Sequence, residues 1–256
     1  MKVLFKLGGT LLDDPDSRQS LAAQLAGARR EAHKVVVVHG GGRQMTAFLA
    51  ERGVESRFVN GLRVSTPDVM DAVLKVLAGS VNHGLVAALV EQGAQAVGLS
   101  GIDAMLTEAV PMSEELGAVG RPVRSNGALL DLLTDSGYLP VVACVAGGEG
   151  GRIFNVNADQ MAACCAAGFA AEKLLFLTDV EGVLDAGGAL IDRLDREGCR
   201  KLIRDCVAKG GMQAKLIAVC DALDAGLAEV RIAPGNRSGV VSLLLSGEPV
   251  GTRIVR

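Results

Sequence analysis

Two lysines in this sequence stand where a cation is costly, and one aspartate is placed where it could answer them. Lys6 lies inside the apolar run Val3–Leu7, where a cation has to be paired or face a ligand. Lys215 follows Gly210-Gly211-Met212-Gln213-Ala214 at the start of a helix-like segment with the apolar stripe Met212, Leu216, Val219 and Leu223. A cation near a helix N-terminus opposes the helix dipole, so an anion is expected beside it; an ordinary solvated lysine is the plain alternative. Asp159, in Asn155-Val156-Asn157-Ala158-Asp159, falls in the first turn of a helix that Asn157 is placed to cap. Capping alone accounts for both residues. A carboxylate at a sheet edge near two lysines would also hold them in position and leave Asn155 to face a substrate.

Two glycine turns supply the other half of an anion site. Lys6-Leu7-Gly8-Gly9-Thr10 and His39-Gly40-Gly41-Gly42 each end a strand-like run, and the second leads into a helix. Ligands of parallel sheets bind beyond the carboxyl ends of the strands, where glycine lets backbone N–H groups approach an anion. One such turn is explained well enough as a tight turn, whereas two in adjacent βα units make a phosphate cradle. Neither G-x-x-x-x-G-K-[ST] nor G-x-G-x-x-G after a strand occurs, so the cradle is neither a P-loop nor a dinucleotide fingerprint. Arg63, in Asn60-Gly61-Leu62-Arg63-Val64-Ser65, offers a planar fork suited to a carboxylate, although alone it reads as a loop arginine. Asp179, after a strand-like run, suits a nucleotide's ribose or a metal, or else a simple turn around Gly182. His33, His39 and His83 have no metal-ligand spacing, and His39 reads as a hydrogen-bonded structural residue.

Positioning these groups takes an alternation of short buried strands and longer helices. Val3–Leu7, Val35–His39, Val97–Ser100, Leu139–Val145, Leu174–Thr178 and Val230–Ala233 read as strands. Ser17–Ala32, Gln44–Gly53, Thr66–Gln92, Ser125–Gly137, Ala158–Gly168 and Gly211–Ala225 read as helices. The pattern predicts α/β architecture with a mainly parallel sheet covered on both faces. Met105–Arg124 contains Pro111, Gly117, Gly120 and Pro122 and reads as a hairpin or loop excursion. Ser238–Leu245 is open between strand and helix, ahead of a closing strand at Gly251–Val255. Ala146–Arg152 marks the expected hinge between residues 1–150 and 151–256.

Composition narrows the function class. The 256 residues are 49% apolar with no Trp, so the core is aliphatic; the net charge of −3 is spread along the chain without a basic stripe for nucleic acid. Six cysteines without a C-x-x-C pair read as reduced, buried, small apolar side chains. The apolar runs are expected to stay within a globular core, short of a membrane span. The chain opens on a strand-like run without a signal-peptide pattern, so a cytoplasmic protein is expected.

Taken in order, Lys6-Leu7-Gly8-Gly9, His39-Gly40-Gly41-Gly42, Asn60-Gly61-Leu62-Arg63-Val64, Asn155-Val156-Asn157-Ala158-Asp159 and Gly211-Met212-x-x-Lys215 resemble the signatures of the amino acid kinase family. Their spacing is nearest to its acetylglutamate kinase branch, and the similarity runs to Gly251-Thr252-Arg253-Ile254. The resemblance implies a three-layer αβα sandwich, an acyl-amino-acid half over 1–150 and an ATP half over 151–256. It implies transfer of the γ-phosphoryl of ATP, with Mg²⁺, to the side-chain carboxylate of N-acetyl-L-glutamate in arginine biosynthesis, by a homodimer. By the same resemblance Lys6 and Lys215 flank the phosphoryl group and Asp159 orients both. Backbone at Gly8, Gly9, Gly41 and Gly42 binds phosphate and developing charge, Arg63 and Asn155 hold substrate, and Asp179 and the Gly210, Gly211, Met212 segment lie by the nucleotide. No protein metal ligand is implied.

Two departures bear on substrate choice: Arg43 stands where the family's second glycine motif commonly has Pro, and Ile102 where many relatives carry Lys. N-succinyl-L-glutamate and aminoadipate derivatives therefore stay open as acceptors. An aspartate, carbamate or uridylate kinase fits the Asn60–Val64 and Asn155–Asp159 segments less well. A silent sensor is expected to lack a lysine or the aspartate, and a dehydrogenase to show a glycine fingerprint. With the first strand beginning at Lys2, no arginine feedback is expected.

Overall fold

Residue-by-residue alternation along the first strand sorts the protein into layers. The computed structural model describes residues 1–256. In β1 (Lys2–Leu7), Val3, Phe5 and Leu7 join one core cluster and Leu4 the other, so Lys6 falls on the same face as Leu4.

The chain continues through α1 (Thr10–Asp13), α2 (Pro15–Arg30), β2 (Lys34–His39), α3 (Gly42–Ala50), β3 (Phe58–Val59) and β4 (Leu62–Arg63). Next come α4 (Pro67–Val73), a π-helical segment (Leu74–Val81) and α5 (Asn82–Glu91), which form one continuous helix. The middle of the chain is β5 (Ala96–Gly101), β6 (Thr107–Pro111), β7 (Val119–Ser125), α6 (Gly127–Asp135), β8 (Leu139–Gly147) and β9 (Ile153–Val156). It ends with α7 (Ala158–Gly168), β10 (Lys173–Thr178), β11 (Arg193–Asp195), α8 (Arg196–Arg204), α9 (Gly210–Asp224), β12 (Glu229–Pro234), α10 (Val240–Ser246) and β13 (Thr252–Val255).

Eleven strands form one mixed sheet, with β1 central and parallel to both β10 and β2. The six strands expected from sequence are its parallel middle. The antiparallel pairs lie at β12–β13 and in the β6–β7–β9 excursion, so Met105–Arg124 is the hairpin expected there. One face carries Leu21 and Leu25 of α2, Leu85 of α5 and Val240 of α10. The other carries Leu130 of α6, Met161 of α7, Cys199 of α8 and Leu216 of α9, which completes three layers.

Several local outcomes differ from the sequence expectation. Ser238–Leu245 resolves as helix α10. Asn60 and Gly61, at φ 49° and 79°, turn β3 into β4 as a two-residue hairpin, the geometry that Asn-Gly favours. Strand β11 and helix α8 carry too little apolar content to be read from sequence, α8 burying only Cys199, while β9 is apolar but only four residues long and follows the glycine-rich segment 146–152. Cys206 is exposed, whereas four of the other five cysteines are buried. The helix Pro67–Glu91 has the length and composition of a bilayer span, contrary to the expectation of short apolar runs. Its apolar character serves the core instead, through Val69, Val73, Val76, Val81, Leu85 and Leu89. Thr66 starts it, its Oγ1 accepting from the Val69 N–H at 3.4 Å, with Pro67 at the first helical position.

The start of α6 meets the end of α7 closely: a Cβ on Gly127 would stand 1.7 Å from the Gly168 carbonyl oxygen. Gly127→Ala is therefore expected to cost about 2–3 kcal/mol by forcing the two helix ends apart. Calorimetry should show Tm lowered by about 5–10 °C; an unchanged Tm would mean that the two ends do not meet.

Candidate active site

The last inward position of β1 places Lys6 beside Phe176 of β10 and Val38 of β2, on the face that α7 and α9 cover. Asn157 caps α7, its Oδ1 accepting from the N–H groups of Asp159 at 2.9 Å and Gln160 at 3.2 Å, which fixes Asp159 in the first turn. Lys215 is in the second turn of α9, its Nζ 5.2 Å from the centre of the Phe176 ring. The three charged groups meet there. Asp159 Oδ1 accepts from Lys6 Nζ at 2.7 Å, and both its carboxylate oxygens lie 3.1 Å from Lys215 Nζ. Lys6, Asp159 and Lys215 are each 7% exposed.

Two cations share one anion here, so the buried cluster carries net positive charge. Burial pushes the Asp159 carboxyl upward, but Lys6 and Lys215 outweigh it and hold the group below the usual carboxylate range. Burial, and next the Lys6 ammonium, draw Lys215 down from 10.5 to about 8, with Asp159 and Asp179 pulling the other way. Between pH 8 and 10.5 the unfolded chain thus binds more protons at Lys215 than the folded one. Lys215 costs about 3 kcal/mol of stability below pH 8, a cost that fades as pH rises to 10.5. Each ammonium has three N–H bonds and only Asp159 as an ionic partner, so donors remain for an anion.

Around this cluster the two glycine turns touch. A Cβ on Gly9 would lie 2.9 Å from the Gly41 nitrogen and 3.1 Å from that of Gly42, an approach open to glycine alone. Helices α2, α4, α6, α7 and α8 have side-chain caps, whereas α1, α3 and α9, opened by Gly9, Gly41 and Lys209, have none; α10 also lacks one. Uncapped N–H groups at α3 and α9 suit phosphate oxygens.

A cavity of about 180 Å³ opens from Gly40, Gly41 and Gly42 and takes in Arg63, Asn155, Asn157 and Ala158. Arg63 is held over α3 by Nη2 donating to Thr46 Oγ1 at 2.8 Å and to the Gly42 carbonyl at 3.2 Å. Asn155 Nδ2 donates to Ser65 Oγ at 3.0 Å. A second groove, of about 530 Å³, shares Gly61, Leu62 and Asn157 with the first and extends to Gly210 and Gln213. Asp179 accepts from Thr10 Oγ1 at 3.2 Å and Thr178 Oγ1 at 3.1 Å, which ties the first glycine turn to the end of β10. A Cβ on Gly211 would meet nothing within 4 Å, and the Met212 side chain packs against the core rather than lining either cavity. Sequence reasoning overlooked Phe176 beneath Lys215, Thr10 on Asp179 and Phe58 in the cavity wall; none carries a local signal, since each acts across strands.

Residues 1–234 match the profile of the amino acid kinase family. The acetylglutamate kinase of Solibacter usitatus is 59% identical over 255 residues, covering 100% of this chain and 99% of that protein. The acetylglutamate kinase of Koribacter versatilis is 40% identical over 258 residues, again covering 100% and 99%. Among solved structures, N-acetylglutamate synthase from Neisseria gonorrhoeae, complexed with coenzyme A and N-acetyl-glutamate, superposes with a TM-score of 0.88 at 24% identity, over 100% of this chain and 59% of that one. This last likeness is one of fold.

Asp159→Asn keeps the shape of the cluster and removes its anion. The Lys215 ammonium is then expected to titrate below 8, because the opposing pull of the carboxylate is gone. Carbon-13 NMR of labelled lysine measures this directly, and an unchanged or raised titration point would contradict the assignment of Asp159 as the partner.

Proposed function

The chain belongs to the amino acid kinase family, and on that premise we propose that it transfers the γ-phosphoryl group of ATP to the side-chain carboxylate of N-acetyl-L-glutamate, a step of arginine biosynthesis. The observation that carries this reading is the pair of buried ammonium groups bridged by Asp159 beside two touching glycine turns. A carboxylate is already an ionised nucleophile at neutral pH, so the reaction needs no general base. It needs the negative charge of attacking carboxylate, phosphoryl and leaving ADP to be brought together and neutralised. Lys6 and Lys215 supply that charge from either side of the transferring group, and Asp159 keeps them apart from each other and aimed. An acceptor oxygen bonds to the γ-phosphorus as the bond to the β–γ bridging oxygen breaks, giving an acyl phosphate and ADP.

Residues 1–150 hold the acyl-amino acid in this reading, and 151–256 the nucleotide. Gly8, Gly9, Gly41 and Gly42 offer backbone N–H groups to the phosphates, Arg63 grips the α-carboxylate, and Asn155 contacts the acceptor. Asp179, Gly210, Gly211 and Met212 border the nucleotide. The chain groups no three His, Cys, Asp or Glu side chains as a metal cage. Burial pushes the Asp179 carboxyl up, but its own backbone N–H, then the Thr178 and Thr10 hydroxyls, hold it below the usual carboxylate range, and it fits a Mg²⁺ carried chiefly by the nucleotide's own phosphates. When bound, that ion neutralises phosphate charge.

Arg63 is the one cation among the residues lining the first cavity, beside apolar Met45, Phe58, Leu62, Val73 and Leu77. That set matches one α-carboxylate and a small neutral acyl group, which favours acetyl over succinyl. The reading extends to a cytoplasmic homodimer. Six free cysteines suit a reducing compartment, and exposed Leu74 and Val90 on the helix Pro67–Glu91 offer an apolar face.

A coupled ADP-release assay with Mg-ATP should show turnover of N-acetyl-L-glutamate above that of N-succinyl-L-glutamate and N-acetyl-L-aminoadipate, and its loss by about 100-fold or more in Lys215→Ala. The kcat/KM profile is expected to fall as pH rises through about 8, with the fall in kcat at higher pH because bound phosphates favour the ammonium. No turnover of any acceptor, or a flat profile across that range, would contradict the reading.

A further inference from the structure

A buried hydrogen-bond chain between the sheet and the long helix has no part in the chemistry described so far. Asn82, the first residue after the π-helical segment, is 1% exposed, and His39, at the end of β2, is 0% exposed. Asn82 Nδ2 donates to the Val141 carbonyl at 2.9 Å and lies 3.0 Å from His39 Nε2. An amide nitrogen has no lone pair to offer, so Nε2 is the acceptor and the imidazole proton sits on Nδ1. Reversing the amide would set its oxygen against the Val141 carbonyl oxygen. Its present oxygen lies against Gly98, where a Cβ would stand 2.1 Å away. His39 Nδ1, 2.9 Å from the Gly40 carbonyl, donates to it, and the Cys144 thiol donates to the His39 carbonyl at 3.0 Å.

The peptide that follows is the one that matters. A trans peptide is planar with its C=O and N–H opposed. Drawing the Gly40 carbonyl back toward His39 therefore turns the Gly41 N–H the other way, and that N–H donates to no group of the protein. Its nitrogen borders Gly9 of the first glycine turn. We propose that Asn82 is a positioning residue: through His39 it sets the Gly40–Gly41 peptide plane so that the Gly41 amide points at the transferring phosphoryl group. The proposal rests on the kinase reading above and adds to it the groups that aim one of its donors. If Asn82 offers no donor, the imidazole is free to carry its proton on Nε2, and a bare Nδ1 then faces the Gly40 carbonyl and repels it. Burial also takes His39 down to about 4, so the imidazole stays neutral and the chain of bonds persists through neutral pH.

Nitrogen-15 NMR of the wild-type protein should show His39 with Nδ1 protonated and Nε2 bare. The Gly41 amide resonance should shift when Mg-AMP-PNP is added to the wild type, and shift far less in Asn82→Leu. This readout needs no acceptor, so its failure is distinct from a wrong acceptor assignment. In turnover, Asn82→Leu and His39→Leu should lose about 10- to 100-fold in kcat with KM values within about threefold. His39→Asn, whose amide reaches the Gly40 carbonyl much as Nδ1 does, should recover about tenfold over His39→Leu. An Nε2–H tautomer in the wild type overturns the proposal even if every variant fails to fold. So does an unshifted Gly41 amide, an Asn82→Leu variant with wild-type kcat, or a His39→Asn variant no better than His39→Leu.

Discussion

Two ammonium groups cannot sit side by side in a protein interior unless an anion holds them there. Asp159 is that anion, and much of the fold is arranged so that it can be. Lys6 comes from the central strand, Asp159 from the first turn of α7, and Lys215 from α9. No two of them are closer than 56 residues in sequence. Their meeting therefore depends on β1 lying between β2 and β10, and on α7 and α9 packing over the same face. Such a cluster is a poor source of stability, because desolvating three charges offsets most of their attraction. The depressed Lys215 expresses that cost. In the proposed reaction an incoming phosphoryl group would supply the negative charge that the cluster lacks, so that what the fold gives up in stability would become affinity for the transferring charge.

The same logic extends to the backbone around the cluster. Five helices here start with a side chain satisfying their first N–H groups. Those opened by Gly9, Gly41 and Lys209 do not, nor does α10. Gly9 and Gly41 approach so closely that no side chain fits between them, and the hydrogen bonds from Asn82 through His39 hold the second turn from behind. Donors left open in the ligand-free protein are thus held in fixed directions, which is what charge stabilisation requires if no reorganisation is to be spent during reaction.

Short apolar β-branched runs, longer helix-like segments and glycine turns made the parallel middle of the sheet and its two faces legible in the sequence. They did so because each signal is local. Lys6 stood out since a cation inside Val3–Leu7 has no local excuse, and Asp159 since Asn157 announces a helix start. What sequence could not show was pairing: that Lys6 and Lys215 share one carboxylate, or that Phe176 lies under Lys215, follows from register and helix packing. His39 was readable as a structural histidine, yet its partner Asn82 sits 43 residues away in an apolar helix with nothing to mark it. The Asn60-Gly61 hairpin is the opposite case: its turn signal is local, but the two strands it joins are two residues each, too short to form a readable pattern.

The claim that the Lys6–Asp159–Lys215 cluster exists for function and not for stability is open to a direct measurement. Urea unfolding would compare the wild type, Asp159→Leu, and the triple replacement Lys6→Met, Asp159→Leu, Lys215→Met, each also assayed for phosphoryl transfer. Asp159→Leu is expected to lose about 3–5 kcal/mol, because it strands two buried cations. The triple variant is expected to recover at least wild-type stability while transferring no phosphoryl group. A triple variant as unstable as Asp159→Leu, or one that still transfers phosphoryl, would contradict the claim.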